Sequence, residues 1–308
     1  MLVAIGVFVL GLTLLLLSAK FFSNSAEKLG KALKLPEIVV GIFIVGIGTS
    51  LPELISGTLS VYKGASEILP GNIVGANISN LLLITGIAVA VNRKNIVLKS
   101  RYLYIDLHFL LGSFMFFGII AYDGIITFSE SFIGFLIFIV YSIYLVKGEH
   151  PLGTSKESHS GKIPIKEFLI LAASSGGIYF GAEFTISGIE DIATLLNVPK
   201  SIIALTALSI GTTLPELAVN INFIRENKAE MAIGNILGSS VFNTLFIAPF
   251  ASLIGPIHVP ESIINFPLPV MAATGVLFYL LAQDKRISIW EGLMLVCLYL
   301  LFLIKIVV

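Results

Sequence analysis

Apolar residues in this chain come in long unbroken runs, separated by short polar clusters. Ten runs stand out, at roughly 2–22, 36–62, 69–91, 102–121, 126–146, 166–188, 199–224, 231–255, 264–283 and 287–307. A helix needs about 17–25 predominantly apolar residues to cross the hydrocarbon core. The runs are continuously apolar rather than alternating, which argues against a membrane β-barrel. The pattern predicts an all-α membrane protein with ten transmembrane helices. The first run lacks a basic stretch ahead of it and has a partner later in the chain, so it reads as a retained span rather than a signal peptide.

Composition sharpens this picture. Of 308 residues, 56% are hydrophobic and only 12% charged, with a mean hydropathy of +0.98. A soluble domain carries about 25% charged residues, so a water-facing globule and a disordered chain are both excluded. The 19 basic and 19 acidic residues cancel, leaving no basic surplus for nucleic acid. A single cysteine, Cys297, rules out an intrachain disulfide and a multi-cysteine metal site. No cofactor and no obligatory protein partner is expected, and the surrounding medium is the lipid bilayer.

Lys and Arg set the orientation. Sixteen of them fall in the loops after odd-numbered runs, against three (Lys63, Lys200 and Lys305) on the other side. Positive charge stays in the cytoplasm, so both termini are expected outside the cell membrane. The Ser-, Gly- and Lys-rich stretch 148–164 then becomes a cytoplasmic linker between a first unit, 1–147, and a second, 165–308.

The two units repeat. GIGTSLPELISG at 46–57 matches SIGTTLPELAVN at 209–220, and GNIVGANISN at 71–80 matches GNILGSSVFN at 234–243, both at an offset of 163. Each unit holds five spans, an odd number, so the second must enter the membrane from the opposite side. Two inverted five-helix repeats are a frequent architecture of secondary transporters, which bind substrate near the midplane where helices are interrupted.

The duplicated motif carries the candidate chemistry. Pro52 has no N–H for the carbonyl of Gly48, and Pro215 none for Gly211. A freed carbonyl within the hydrocarbon must be satisfied, and a cation can do so. Thr49 lies four residues before Glu53 on the same helix face; the second copy supplies Thr212, Thr213 and Glu216. The following segments add Asn72, Ala76 and Asn80 on one face, and Asn235, Ser239 and Asn243 on its counterpart. Gly71/Gly75 and Gly234/Gly238 form small-xxx-small pairs that let helices approach closely. The donor set is oxygen-only, which suits hard cations such as Ca²⁺, Na⁺ or Mg²⁺. Asn80 and Asn243 fit either ion contact or plain interhelical hydrogen bonding.

Charge decides the transport mode. An ionised carboxylate at the membrane centre costs at least about 2.5–3.5 kcal/mol on insertion scales. Glu53 and Glu216 together hold two negative charges, which one Ca²⁺, two Na⁺ or two protons neutralise. An empty ionised site would be hard to move, which favours exchange over one-way transport. No carbonyl filter marks a channel, and no H-E-x-x-H helix marks an intramembrane zinc protease.

GTSLPE and GTTLPE, each followed by a GN-x-x-G segment ending in Asn, resemble the α-repeats of the Ca²⁺/cation antiporter superfamily, nearest to prokaryotic sodium/calcium exchangers. The resemblance implies a ten-helix, alternating-access antiporter that exchanges Ca²⁺ for Na⁺. It implies a Ca²⁺ site shared by Glu53 and Glu216, helped by Thr49 and Thr212. Flanking Na⁺ sites would draw on Ser50, Thr213, Ser239 and the carbonyls of Gly46 and Ser209. Asn80 and Asn243 would line the cavity, and the first and sixth spans would slide over the other eight. The family often has Ser where this chain has Ala76, which removes one ligand from one expected Na⁺ site. Some members have Asp where this chain has Asn243, so the charge here stays at minus two. An H⁺/Ca²⁺ antiporter on the same fold is the alternative, with protons on Glu53 and Glu216.

Overall fold

The computed structural model describes residues 1–32, 49–92, 96–97, 103–147, 165–225 and 229–307. Gly46, the freed carbonyl of Gly48 and the linker 148–164 lie outside the described residues. In chain order the helices are α1 (Leu2–Ala32), α2 (Leu51–Tyr62), α3 (Ile68–Ile78), α4 (Thr85–Asn92), α5 (Leu103–Ile120), α6 (Phe128–Lys147), α7 (Ile165–Leu196) and α8 (Lys200–Ile203). They continue with α9 (Ser209–Thr212), α10 (Leu214–Arg225), α11 (Ala229–Phe242), α12 (Ala248–Ser252), α13 (Glu261–Ile264), α14 (Pro267–Gln283) and α15 (Ile289–Val307). Among the described residues, eight helical tracts are long and apolar enough to cross a membrane, and Ile105–Ile120 is a shorter apolar one.

Burial sorts these helices. Ile68–Val91 is 83% buried and Ala232–Ser252 78%, against 22% for Phe128–Leu145 and for Ile289–Ile306. The two GN-x-x-G rods therefore form the centre, and the uniformly apolar helices face outward. Helix starts follow local sequence. In the first turn of α6 the Glu130 carboxylate accepts from the backbone N–H and hydroxyl of Thr127 (2.9 and 2.6 Å). At α15 Glu291 accepts from the Ser288 N–H (2.6 Å), while the Ser288 hydroxyl accepts from the N–H of Glu291. Such reciprocal caps satisfy donors that a helix terminus leaves free.

α1 and α7 run antiparallel along one another. A Cβ at Gly188 would strike Phe8, one at Gly181 would strike Leu15, and one at Gly177 would strike Ser18. Rising numbers on one helix thus meet falling numbers on the other. At 31 and 32 residues and about 1.5 Å per residue, each helix is about 47 Å long, well beyond the roughly 30 Å hydrocarbon thickness. The hydropathy runs place their ends near 22 and 188, and both helices continue past those points; because the pair is antiparallel, the polar end of α1 lies against the start of α7. Lys28 on α1 reaches Glu167 on α7 at 3.1 Å.

Two short strand pairs tie the units together. Strand β1 (Ile96–Val97) pairs antiparallel with β4 (Arg286–Ile287), and β2 (Ile125–Ile126) with β3 (Ile257–His258). Each pair joins a loop of the first unit to one of the second. Backbone irregularities recur as well. Ser50 (φ −89°, ψ 9°) and Thr213 (φ −86°, ψ 1°) leave helical geometry at matching points of the two motifs. Both sit in the sparsely populated bridge region, where functional residues are often found. Wide π-helical turns occupy Ser79–Ile84, Ala204–Leu208 and Asn243–Ile247; such turns occur frequently at functional sites.

Candidate functional site

Glu53 and Glu216 are each only 1% exposed. They stand in the first turns of α2 and α10, just past the two helix breaks, and close enough to act on one another electrostatically. The sequence places Thr49 with Glu53 and Thr212 with Glu216. The structure crosses them over. The Thr212 side chain lies beside Glu53, whereas those of Thr49 and Ser50 lie beside Glu216, with the Ser50 hydroxyl donating to Oε1 at 3.4 Å. Spacing along one helix cannot reveal this, because the pairing arises from how two helices cross.

The remaining predicted residues converge on the same interior. Thr212 donates to Oδ1 of Asn72 at 3.4 Å. Thr213 donates to the Ser209 carbonyl at 2.9 Å and shares a 3.2 Å contact with the Ser79 hydroxyl. Ser209 turns its own hydroxyl to the carbonyl of Leu205 at 2.5 Å, while its carbonyl also accepts the backbone N–H of Thr213 at 3.1 Å. Gly75 makes this meeting possible. A methyl group there would collide with the carbonyl of Leu205 and the side chain of Ser209, so α3 approaches this backbone only because position 75 has no Cβ.

Both oxygens of Glu53, Oε2 of Glu216, the Ser239 hydroxyl and both amide atoms of Asn80 are buried with no hydrogen-bond partner among the described residues. Native interiors leave few such atoms, and each calls for an explanation. A concentration of oxygen acceptors around two carboxylates fits a hard cation carried as cargo. Among the described residues no group of three His, Cys, Asp or Glu gathers as a metal site; the carboxylates act with neutral oxygens instead.

A protein-family model described as sodium/calcium exchanger protein matches residues 3–147 and 166–308, nearly the whole chain. The chain belongs to this exchanger family. Sodium/calcium exchanger MaX1 of Methanosarcina acetivorans is 28% identical over 342 residues, covering 97% of this chain and 97% of that protein. The membrane protein MJ0091 of Methanocaldococcus jannaschii is 26% identical over 302 residues, covering 98% and 97%. The solved structure of the sodium–calcium exchanger NCX_Mj soaked with 2.5 mM Na⁺ and 0.1 mM Sr²⁺ superposes with a TM-score of 0.69 at 26% identity, over 97% of each chain. The fold is that of a multi-pass membrane exchanger, and the family is one of ion transporters rather than enzymes.

Within this exchanger fold Asn80 and Asn243 differ. Asn243 donates to Oδ1 of Asn77 at 3.4 Å, and Asn77 in turn reaches Sδ of Met271, so half of the amide of Asn243 is used in packing. Asn80 is the second residue of the π turn that follows α3 and spends only its backbone carbonyl, on the Thr85 hydroxyl. Asn77, Ser79 and Asn220 were not singled out by the sequence. Asn77 and Ser79 correspond to Ser240 and Phe242 in the second copy, so comparing the repeats hides them. Asn220 donates to the backbone carbonyl of Glu216 at 2.8 Å and steadies that turn. Cys297 is exposed on an outer helix, away from this chemistry.

Proposed function

We propose that this chain exchanges Ca²⁺ for Na⁺ across the cell membrane by alternating access, with Glu53 and Glu216 as the shared Ca²⁺ ligands. The observation that carries this reading is the crossed arrangement of two buried carboxylates, each faced by hydroxyls from the opposite motif. One Ca²⁺ there neutralises both charges. Thr49 and Thr212 supply neutral oxygens. Ser50, Thr213, Ser239 and the carbonyls of Ser209 and Gly46 extend the set to flanking Na⁺, with Asn80 and Asn243 at the cavity wall. Membership of the sodium/calcium exchanger family supports Na⁺ as the counter-ion; the proton-coupled alternative is not favoured.

The architecture proposed is ten spans in two inverted five-helix repeats, 1–147 and 165–308, joined by the linker 148–164. Three observations support inversion. α1 and α7, the first helix of each unit, run antiparallel. The helix breaks at Ser50 and Thr213, and the π turns at Ser79–Ile84 and Asn243–Ile247, recur at corresponding places. The strand pairs β1–β4 and β2–β3 are what a two-fold axis in the membrane plane demands, since exchanging the units turns one pair into the other. The pairs also join odd loops to odd and even to even, as alternating spans require; the lysine and arginine bias supports a cytoplasmic linker and external termini. α1 and α7 would move as a unit against the buried rods.

The test is Ca²⁺ uptake into proteoliposomes preloaded with Na⁺, compared with Na⁺-free vesicles under an imposed pH gradient. Uptake that needs internal Na⁺ and survives a protonophore supports this function. Uptake driven by the pH gradient alone overturns the Na⁺ assignment.

A further inference from the structure

The two central rods carry hydroxyls at different places. The second has Ser239 and Phe242; the first has Ala76 and Ser79 at the corresponding positions. One hydroxyl is lost at 76 and one appears at 79, three residues along the same helix. Phe242 is committed to packing, stacked on Phe246 at 4.8 Å. Ser79 is different. It is fully buried, and its hydroxyl lies 3.2 Å from that of Thr213.

The stripe 72, 76, 79 faces the second motif. Asn72 meets Thr212, Gly75 abuts Leu205 and Ser209, and Ser79 meets Thr213. Ala76 sits between these contacts and brings only a methyl group. We propose that Ser79 supplies the oxygen Ala76 lacks, so that Ser79, Thr213 and the Ser209 carbonyl form the Na⁺ site on this side; the assignment rests on the exchange reading above. Thr213 Oγ1 stands 2.9 Å from the Ser209 oxygen and 3.2 Å from that of Ser79. Neighbouring oxygens around a cation held at about 2.4 Å lie roughly 3–3.5 Å apart, so small shifts accommodate an ion.

Donor bookkeeping agrees. Thr213 has one hydrogen, directed at the Ser209 carbonyl, so Ser79 donates to Thr213 in the absence of an ion. With a cation on those lone pairs both hydrogens must turn away. Thr213 has the Ile210 carbonyl at 3.1 Å. The buried Tyr299 hydroxyl, which has no hydrogen-bond partner among the described residues, lies on the Ser79 side.

The experiment uses Na⁺-driven Ca²⁺ uptake by the purified full chain in liposomes, with Na⁺ and Ca²⁺ varied separately. Ser79→Ala is expected to raise the half-activating Na⁺ concentration roughly five- to tenfold, the loss of about one ligand, and to shift Ca²⁺ half-saturation far less. Ala76→Ser, introduced into Ser79→Ala, is expected to restore the Na⁺ response, and alone to strengthen it; the rescue separates a lost ligand from a lost fold. A Na⁺ curve for Ser79→Ala that overlies the wild type, or no recovery in the double variant, overturns the Ser79 assignment alone. Wild-type uptake that needs no Na⁺ overturns the exchange reading and this site together.

Discussion

The Ser50 hydroxyl, from the first copy of the duplicated motif, donates to Oε1 of Glu216, from the second, across 3.4 Å. Thr212 repays the contact by lying beside Glu53. Each half therefore completes the carboxylate environment of the other. Coupling the site to the interface between the halves also means that any movement between them changes it.

Removing one carboxylate should abolish Ca²⁺ transport. A unit charge about 4 Å from an ion is worth about 4 kcal/mol at protein-like screening, and 1.4 kcal/mol is a factor of ten. Glu53→Gln and Glu216→Gln are each expected to weaken Ca²⁺ binding by at least about a hundredfold. Both variants should still purify as folded protein, because Gln keeps the shape of Glu. Wild-type Ca²⁺ flux in either variant would exclude a shared site.

Much of this arrangement was legible in the sequence. Continuous apolar runs announced a helical membrane protein, and the 163-residue offset located both motifs, whose prolines, Pro52 and Pro215, announced an interruption in each. Pairing across the halves was not legible, since it depends on how α2 and α10 cross. The π turns at Asn80 and Asn243 were hidden too; they change backbone register without changing composition. The polar end of α1 looks like a loop to hydropathy, yet it continues as helix to Ala32 alongside the start of α7, where Lys28 meets Glu167. Ser79 and Asn77 sit where the copies disagree, so the repeat comparison that reveals Glu53 passes over them.

Protons should compete with Ca²⁺. Both carboxylates must be ionised to hold the ion, and a proton on either removes half the site charge. The pair titrates as a unit because the two groups interact. Apparent Ca²⁺ affinity is thus expected to fall as pH drops, with the maximal rate at saturating Ca²⁺ changing less. Measuring the Ca²⁺ dependence of uptake at several pH values checks this. An affinity that is flat across that range would mean that protons do not reach the ion-binding carboxylates.

Close approach at Gly75 should be as necessary as the ligands themselves. Gly75→Ala places a methyl group against the carbonyl of Leu205 and the side chain of Ser209. Overpacking of this kind costs typically about 1–3 kcal/mol. Because Ser209 offers its carbonyl to Thr213, the displacement is expected to reach the Na⁺ ligands and raise the Na⁺ requirement. Gly6 has open space around its Cβ direction, so Gly6→Ala serves as the control. Thermal unfolding and Na⁺-activation curves for both variants decide it, and equal behaviour would dissociate the α3 approach from ion binding.

Movement of α1 and α7 as one body predicts which cross-links stop transport. Ser18 and Gly177 face each other so closely that a Cβ at 177 would lie 3.0 Å from that of Ser18, near the separation a disulfide spans after slight adjustment. In a Cys297→Ala background, Ser18→Cys with Gly177→Cys should join the two helices and leave exchange largely intact, since both ends travel together. Lys63, just past α2, instead pairs with Glu183 on α7 at 3.2 Å. Both side chains are partly exposed, so this ion pair is worth about 1 kcal/mol at most and tethers α7 to α2 only weakly. Replacing it with a covalent bridge, through Lys63→Cys and Glu183→Cys joined by a short bifunctional thiol reagent, should arrest exchange. Reduction or cleavage of the bridge should restore it. Arrest by the α1–α7 disulfide, or unimpeded exchange across the α2–α7 bridge, would mean that these helices do not move as a unit against the rest.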